Sequence, residues 1–261
     1  MVKDLDIVIT QTLMKDMSGD KCPLFLQGRW IDKTVEWSDT EAMAWGRWFE
    51  YQILGGTAKD EVPELTPKME KSVTYKRALI QIEKWKEVCE TMDIKIDQAQ
   101  EYVEQEVMMA YNDTAIPIKI GGTFDVRGTV KGRKAIIDVK TTADISMSFG
   151  EFGWGNLANV DMKQGVHYPL LAKMKYGEEF DFYYIIFDWK PTLGVKIVKV
   201  ECTQDALDKH LNDVFNVWAK LYVGINEGFE ADPSYLNCKQ CPLNSSCKSA
   251  IKFPEIEIVK L

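Results

Sequence analysis

The spacing of apolar positions along the chain changes near residue 100. Residues 1–98 carry apolar side chains at helical intervals and read as mostly helical. Ser38 with Glu41 makes a capping-box pattern, in which the two side chains satisfy backbone amides at a helix start, and opens a helix to about Leu54. Gly55-Gly56 ends it, because glycine accepts the left-handed turn of a helix terminus. Thr66-Pro67 supplies a cap and a first-turn proline for a second helix reaching roughly Glu90. From 101 to 202 the pattern shifts to β-branched and aromatic runs, with strands expected over 104–111, 122–130, 134–141, 180–189 and 195–201. A helix over about 161–175 interrupts them. A last helix over 204–225 places Leu207, Leu211, Val214, Phe215, Trp218 and Leu221 on one stripe. The expectation is one domain in three parts: a helical 1–98, a strand-rich core over 99–202, and a C-terminal helix and tail over 203–261.

Composition adds limits. With 261 residues, 46% of them hydrophobic and 28% charged, the chain can bury a sizeable core without staples. No apolar run approaches the ~18 residues of a membrane span. Met1-Val2-Lys3-Asp4-Leu5-Asp6 lacks the basic head and apolar body of a signal peptide. A cytoplasmic protein of a bacterium or phage-infected host is expected, with thiols reduced or metal-bound. The net charge of −8 excludes a protein that coats nucleic acid through a broad positive field. Any DNA path must be a narrow basic strip. The chain has no G-x-x-x-x-G-K-[ST] phosphate loop, so it carries no recognisable motor.

The stretch from Gly122 to Thr142 carries the chemistry. It reads as two strands joined by a tight turn at Lys131-Gly132, a register that sets Asp125 opposite Asp138. Alternation puts Lys140 on the face of Asp138 and Val139 on the other. A turn shifted by one residue sets Asp125 opposite Lys140 instead. Either way two carboxylates and one ammonium share a small patch. Like charges opposed on a sheet destabilise it, and a hard divalent cation such as Mg²⁺ or Mn²⁺ offsets them directly. A lysine beside such a cation can orient or deprotonate a water for attack on phosphorus. Asp138 follows the apolar run Ala135-Ile136-Ile137, which argues against a merely solvated hairpin.

Gly-x-x-Asp at 122–125, the hairpin, and Ile137-Asp138-Val139-Lys140 together resemble the PD-(D/E)XK nuclease superfamily in its RecB-like branch. Gln164-Gly165-Val166-His167-Tyr168 is similar to that branch's Gln-x-x-x-Tyr helix, and Gly46-Arg47-Trp48-Phe49-Glu50 to its earlier helix with a metal-facing acid. The resemblance implies an α/β, restriction-endonuclease-like core: a mixed central sheet flanked by helices. It implies a deoxyribonuclease, with Glu50, Asp125, Asp138 and the Val139 carbonyl holding Mg²⁺ or Mn²⁺. Lys140 would position or activate the water. Gln164 and Tyr168, four apart, would share a helix face toward the site. Pro169 departs from an uninterrupted helix, removing a hydrogen bond and predicting a kink. His167 and His210 read as structural.

Cys238-x-x-Cys241-x5-Cys247 has metal-type spacing. With Cys22 near the N-terminus it resembles the iron–sulfur branch of these nucleases, which includes AddB-type and CRISPR-associated adaptation nucleases. That resemblance implies a 4Fe–4S cluster, while four thiolates also suit Zn²⁺. Cys89 and Cys202 read as core residues. Three further residues are candidate walls of a DNA path: Phe152 and Trp154, in a glycine-rich loop where rings could stack bases, and Lys71, on a basic segment with Lys68, Lys76, Arg77, Lys84 and Lys86. The function expected is an exonuclease on single-stranded DNA or DNA ends in recombination, repair or replication, with a helicase or recombination protein as partner. The alternatives are a CRISPR-adaptation-like nuclease subunit and a catalytically silent DNA-binding subunit.

Overall fold

The computed structural model describes residues 6–19, 21–35, 40–56, 64–111, 113–149, 153–234, 238–239 and 241–250. In chain order the elements are β1 (Val8–Ile9), α1 (Gln11–Ser18), α2 (Pro23–Leu26) running into a π turn (Gln27–Ile31), α3 (Glu41–Leu54), α4 (Pro67–Glu70) and α5 (Val73–Thr91). Then follow β2 (Ile94–Tyr111), β3 (Thr114–Val130), β4 (Arg133–Thr142), α6 (Gln164–Tyr176), β5 (Asp181–Asp188), β6 (Val195–Val200) and α7 (Gln204–Glu227). The described residues fall into two compact units, one from 6–11 and 40–212, the other from 12–35 and 213–250.

The larger unit is built on a six-stranded mixed sheet in the order β1-β3-β4-β5-β6, with β2 paired to β3. β1–β3 and β4–β5 are parallel, and the other pairs antiparallel. One face buries Ala135, Ile137, Val139, Tyr183, Ile185 and Phe187 against Trp45, Trp48 and Phe49 of α3 and Trp85 of α5. Burying a large apolar side chain fully is worth about 1.5–3 kcal/mol, so this layer holds the sheet to α3 and α5. Strand alternation turns Ile136, Asp138 and Lys140 to the other face. There α6 packs Tyr168 against Phe124 and Phe182. The mixed α/β core with helices about a central sheet is the restriction-endonuclease-like class expected.

Several boundaries differ from the sequence expectation. Ser38 lies outside the described residues, and the α3 cap is Thr40, whose hydroxyl accepts the Met43 N–H. The helix expected over 66–90 is two, because the Ser72 hydroxyl caps a fresh start at α5 by accepting the Tyr75 N–H. β2 and β3 run 18 and 17 residues, far beyond the 104–111 and 122–130 expected. β2 buries only Val103 among its described side chains, and residues 95–98 are exposed in a row, so its first half shows no apolar alternation. Pro117, which cannot donate to a ladder, pairs with Met108 of β2 where β3 has no second described strand beside it. α6 runs unbroken past Pro169. Gln164 and Tyr168 both precede the proline, so their shared face survives it.

In the smaller unit α1 buries Leu13, Met14 and Met17. Its buried Asp16 is met by Lys21 at 2.5 Å, Arg29 at 3.2 Å and the Trp30 indole N–H at 3.0 Å. A buried charge so fully paired is structural.

Candidate active site

Lys131 and Gly132 take φ of 50° and 76°, the two positive values of the tight hairpin turn that matches strand twist. The turn sets the expected register, from Val130↔Arg133 to Val126↔Ile137. The recorded pairing stops there, and the next residues on each strand are Asp125 and Asp138. Asp125 Oδ2 accepts the Val139 N–H at 2.7 Å, so a side chain makes the next link where backbone pairing has ended.

Asp138 is fully buried; its Oδ1 receives no hydrogen bond among the described residues, and its Oδ2 is met by Lys140 alone. Lys140 Nζ sits 2.6 Å from its Oδ2 as an ion pair, with the lysine side chain 31% exposed. Glu50 comes from the last turns of α3, fixed beside the buried Phe49, and its Oε1 accepts the Gln100 side-chain amide. It also lies within hydrogen-bond reach of Asp125.

The charges are mutually strained. Burial pushes the Asp125 carboxyl well above its usual range, and Asp138 and Glu50 add repulsion. Burial also raises Asp138, although Lys140 pulls it back. Glu50 is raised by burial, partly offset by Gln100. Burial works against the charge of Lys140, but Asp138 and Asp125 outweigh it and hold the ammonium protonated. Three carboxylates therefore face one ammonium. Hard oxygen donors with an excess of negative charge fit a divalent cation such as Mg²⁺ or Mn²⁺. Among the described residues no three His, Cys, Asp or Glu side chains close into a metal-binding group. Asp125 and Glu50 are turned instead to the Val139 N–H and the Gln100 amide.

Gln164 Nε2 donates to Tyr168 Oη at 3.0 Å, so the structure brings this expected pair together. Burial and the charges of Asp138 and Asp125 push the Tyr168 phenol up, which places it electrically at the site. Gly122 explains the glycine of Gly-x-x-Asp, since a Cβ there would lie 2.9 Å from the Tyr168 ring. His167 is buried, with Nδ1 2.9 Å from His210 Nε2 and Nε2 3.1 Å from the Gly121 carbonyl. Burial pushes it down to about 3, so it stays neutral and acts as a packing residue.

The DNA-path expectations need correction. Trp154 is 2% exposed and packs on Tyr184 at 5.2 Å, so it has no open face for a base. Its carbonyl accepts Lys196. Phe152 lies outside the described residues, while Phe149 of the same loop is 83% exposed. Lys71 is exposed between α4 and α5, as are Lys68 and Lys76. Arg77 and Lys84 instead donate to the Trp189 and Leu193 carbonyls, and Lys86 pairs with Glu83. Arg77 and Lys84 thus anchor structure rather than line a channel, while Lys86 and Glu83 form an exposed pair one turn apart on α5. Sequence reasoning missed Gln100, which sits in a polar run with no motif to mark it.

In the smaller unit Cys22, Cys238, Cys241 and Cys247 line one pocket with Leu24, Phe25, Pro233 and Leu243. No disulfide joins the described cysteines.

A family model described as the PD-(D/E)XK nuclease superfamily matches residues 32–248. The fold is similar to the crystal structure of a protein named "Putative exonuclease" from Eubacterium rectale, with a TM-score of 0.63 and 19% identity, covering 95% of this chain and 91% of that one. The protein SSO0001 gives a TM-score of 0.39 at 11% identity, covering 95% and 89%, too distant in shape to argue from. No curated protein sequence matches the chain.

Proposed function

Because the chain belongs to the PD-(D/E)XK nuclease superfamily, we propose that it is a divalent-cation-dependent deoxyribonuclease of the RecB-like kind, acting on single-stranded DNA or free DNA ends. The observation that carries this reading is Asp138, buried beside Asp125 with one oxygen lacking a hydrogen bond and the other met by Lys140 alone among the described residues. An apolar strand does not hold such a carboxylate without a further partner. Asp138, Asp125, Glu50 and the Val139 carbonyl would hold Mg²⁺ or Mn²⁺. The cation supplies charge stabilisation for the phosphate as it passes through its transition state. Lys140, kept protonated by its acidic neighbours, orients the attacking water and adds positive charge near the phosphate. Gln164 and Tyr168 steady that end of the site from α6. The buried sheet and α6 exclude bulk water, which strengthens each of these interactions.

No helix among the described residues is long and apolar enough to cross a membrane. The exposed Lys68, Lys71 and Lys76 are the basic side chains proposed to guide the strand, in line with an acidic chain that offers only a narrow path. The shared pocket of Cys22, Cys238, Cys241 and Cys247 supports a 4Fe–4S cluster or Zn²⁺ held by those thiols. Iron and zinc analysis of anaerobically purified protein decides between them.

The test is cleavage of end-labelled single-stranded, linear duplex and closed circular DNA, with Mn²⁺ and with EDTA. Cation-dependent loss of the labelled ends, fastest on single strands, is expected. Equal rates on closed circles and linear single strands would overturn the end-dependent reading, and full activity in EDTA the cation-dependent one.

A further inference from the structure

We propose that Gln100 is the positioning residue for Glu50: held across from Asp125 by a left-handed break in β2, its side-chain amide occupies one carboxylate oxygen of Glu50 and leaves the other to a divalent cation. This rests on the cation-dependent nuclease reading of the site.

β2 slips by one residue between Ile96 and Gln98, leaving Asp97 as an extra residue in the strand. Three positions later Gln100 takes a φ of 51°, within a strand and away from any hairpin turn. Its neighbours stay in register, Ala99 with Val126 and Glu101 with Phe124, so Gln100 stands across from Asp125. A glutamine pays a steric penalty in this conformation and has no local hydrogen-bonding habit that favours it, unlike asparagine or aspartate. Such a residue persists only where its surroundings over-determine it, and such residues cluster at functional sites.

The surroundings do so here. Glu101, the next residue, accepts Arg127 Nε at 2.7 Å and Lys175 Nζ at 2.8 Å, and also the Tyr176 hydroxyl. This clasp ties β2 to β3 and α6 one residue beyond the break. What the break achieves is the contact from Gln100 Nε2 to Glu50 Oε1. An amide suits the task, because it is a neutral donor. A lysine or arginine there would fix the carboxylate equally well but would bring a positive charge that repels a cation. Gln100 touches neither DNA nor the reacting atoms in this arrangement and acts through Glu50.

The test is Mn²⁺ binding to the full chain, by calorimetry or by the electron paramagnetic resonance of free Mn²⁺, alongside melting temperature and cleavage. Gln100→Gly removes the amide while easing the backbone, because glycine accepts positive φ without a clash. We expect an unchanged or higher melting temperature without metal, Mn²⁺ binding weakened by about 10–100-fold, and cleavage restored toward the original rate at saturating Mn²⁺. In a Glu50→Ala background the same change should weaken Mn²⁺ binding no further. Gln100→Asn, which tolerates the left-handed backbone but is one methylene shorter, gives the same comparison if the glycine variant does not fold. Original Mn²⁺ affinity in the variants overturns the proposal, as does a loss that persists without the Glu50 carboxylate. If the unaltered protein binds no Mn²⁺ and cleaves no DNA, the nuclease reading falls and this inference falls with it.

Discussion

Glu50, which meets Gln100 of β2, and Glu101, the next residue of that strand, are treated in opposite ways. Burial works to raise the Glu101 carboxyl, but bonds from Lys175, Tyr176 and Arg127 outweigh it and hold the group down at about 2. Glu50 has one neutral amide from Gln100, and burial with the charge of Asp138 pushes its carboxyl up. The first is a satisfied cluster whose work is to hold β2, β3 and α6 together. The second belongs to a set, with Asp125 and Asp138, that the chain leaves short of positive charge. A buried charge that is fully met is a structural device. One left wanting marks where something outside the chain binds.

The largest break in this comparison is functional. Asp138→Asn is expected to reduce cleavage to background in a gel assay while the protein stays folded, since the change keeps the side chain's shape and removes one of three crowded carboxylates. A folded variant that retains full activity would remove Asp138 from the site.

A cation should stabilise the unsatisfied set. At 100 times its dissociation constant, Mg²⁺ or Mn²⁺ is expected to add about 2.7 kcal/mol, or roughly 5–10 °C in melting temperature at neutral pH. The sign with pH follows from the direction of the shifts. Asp125, Asp138 and Glu50 are all raised by folding, so their contribution to metal-free stability is full below the unfolded carboxyl range. It is lost as pH rises through their folded values. The cation offsets that loss, so the thermal gain should shrink on acidification. A gain that grew toward acid would contradict the assignment.

The satisfied cluster should respond in the other direction. Glu101→Ala is expected to cost about 2 kcal/mol, because three donors lose their acceptor, and to lower the melting temperature by roughly 4–8 °C. Glu101 is depressed by folding, so its contribution is present above the unfolded carboxyl range and lost as pH falls toward about 2. Denaturant melts of the variant and the original protein at neutral and acid pH measure this, and the difference between them should narrow toward acid.

The smallest effect sharpens the contrast. Asp125→Asn keeps an acceptor for the Val139 N–H and removes one of three repelling charges. It should raise metal-free stability by about 1 kcal/mol, or roughly 2–4 °C, and abolish most of the gain from Mn²⁺. A destabilised variant would mean that Asp125 is structural, like Glu101.

Local chemistry determined much of this protein from the sequence alone. The Lys131-Gly132 turn admits the backbone twist that a two-residue hairpin needs, and that sets the register of β3 on β4 and brings Asp125 level with Asp138. Helical spacing of four put Gln164 and Tyr168 on one face, and the apolar stripe of α7 stood out by its period. These features depend on residues near each other in the chain. What the tertiary structure decided depends on residues far apart. Trp154 sits in a glycine-rich loop that reads as open, but Tyr184 covers its ring. The cations at Arg77 and Lys84 read as a binding strip, yet the carbonyls of the β5–β6 connection take them. Glu50 fits a motif, but the packing of Trp45, Trp48 and Phe49 on the sheet brings α3 to it, with Gln100 waiting there from β2. A polar run with a left-handed residue has no apolar period to read, because its conformation is imposed by the Glu101 clasp and not by its own propensity.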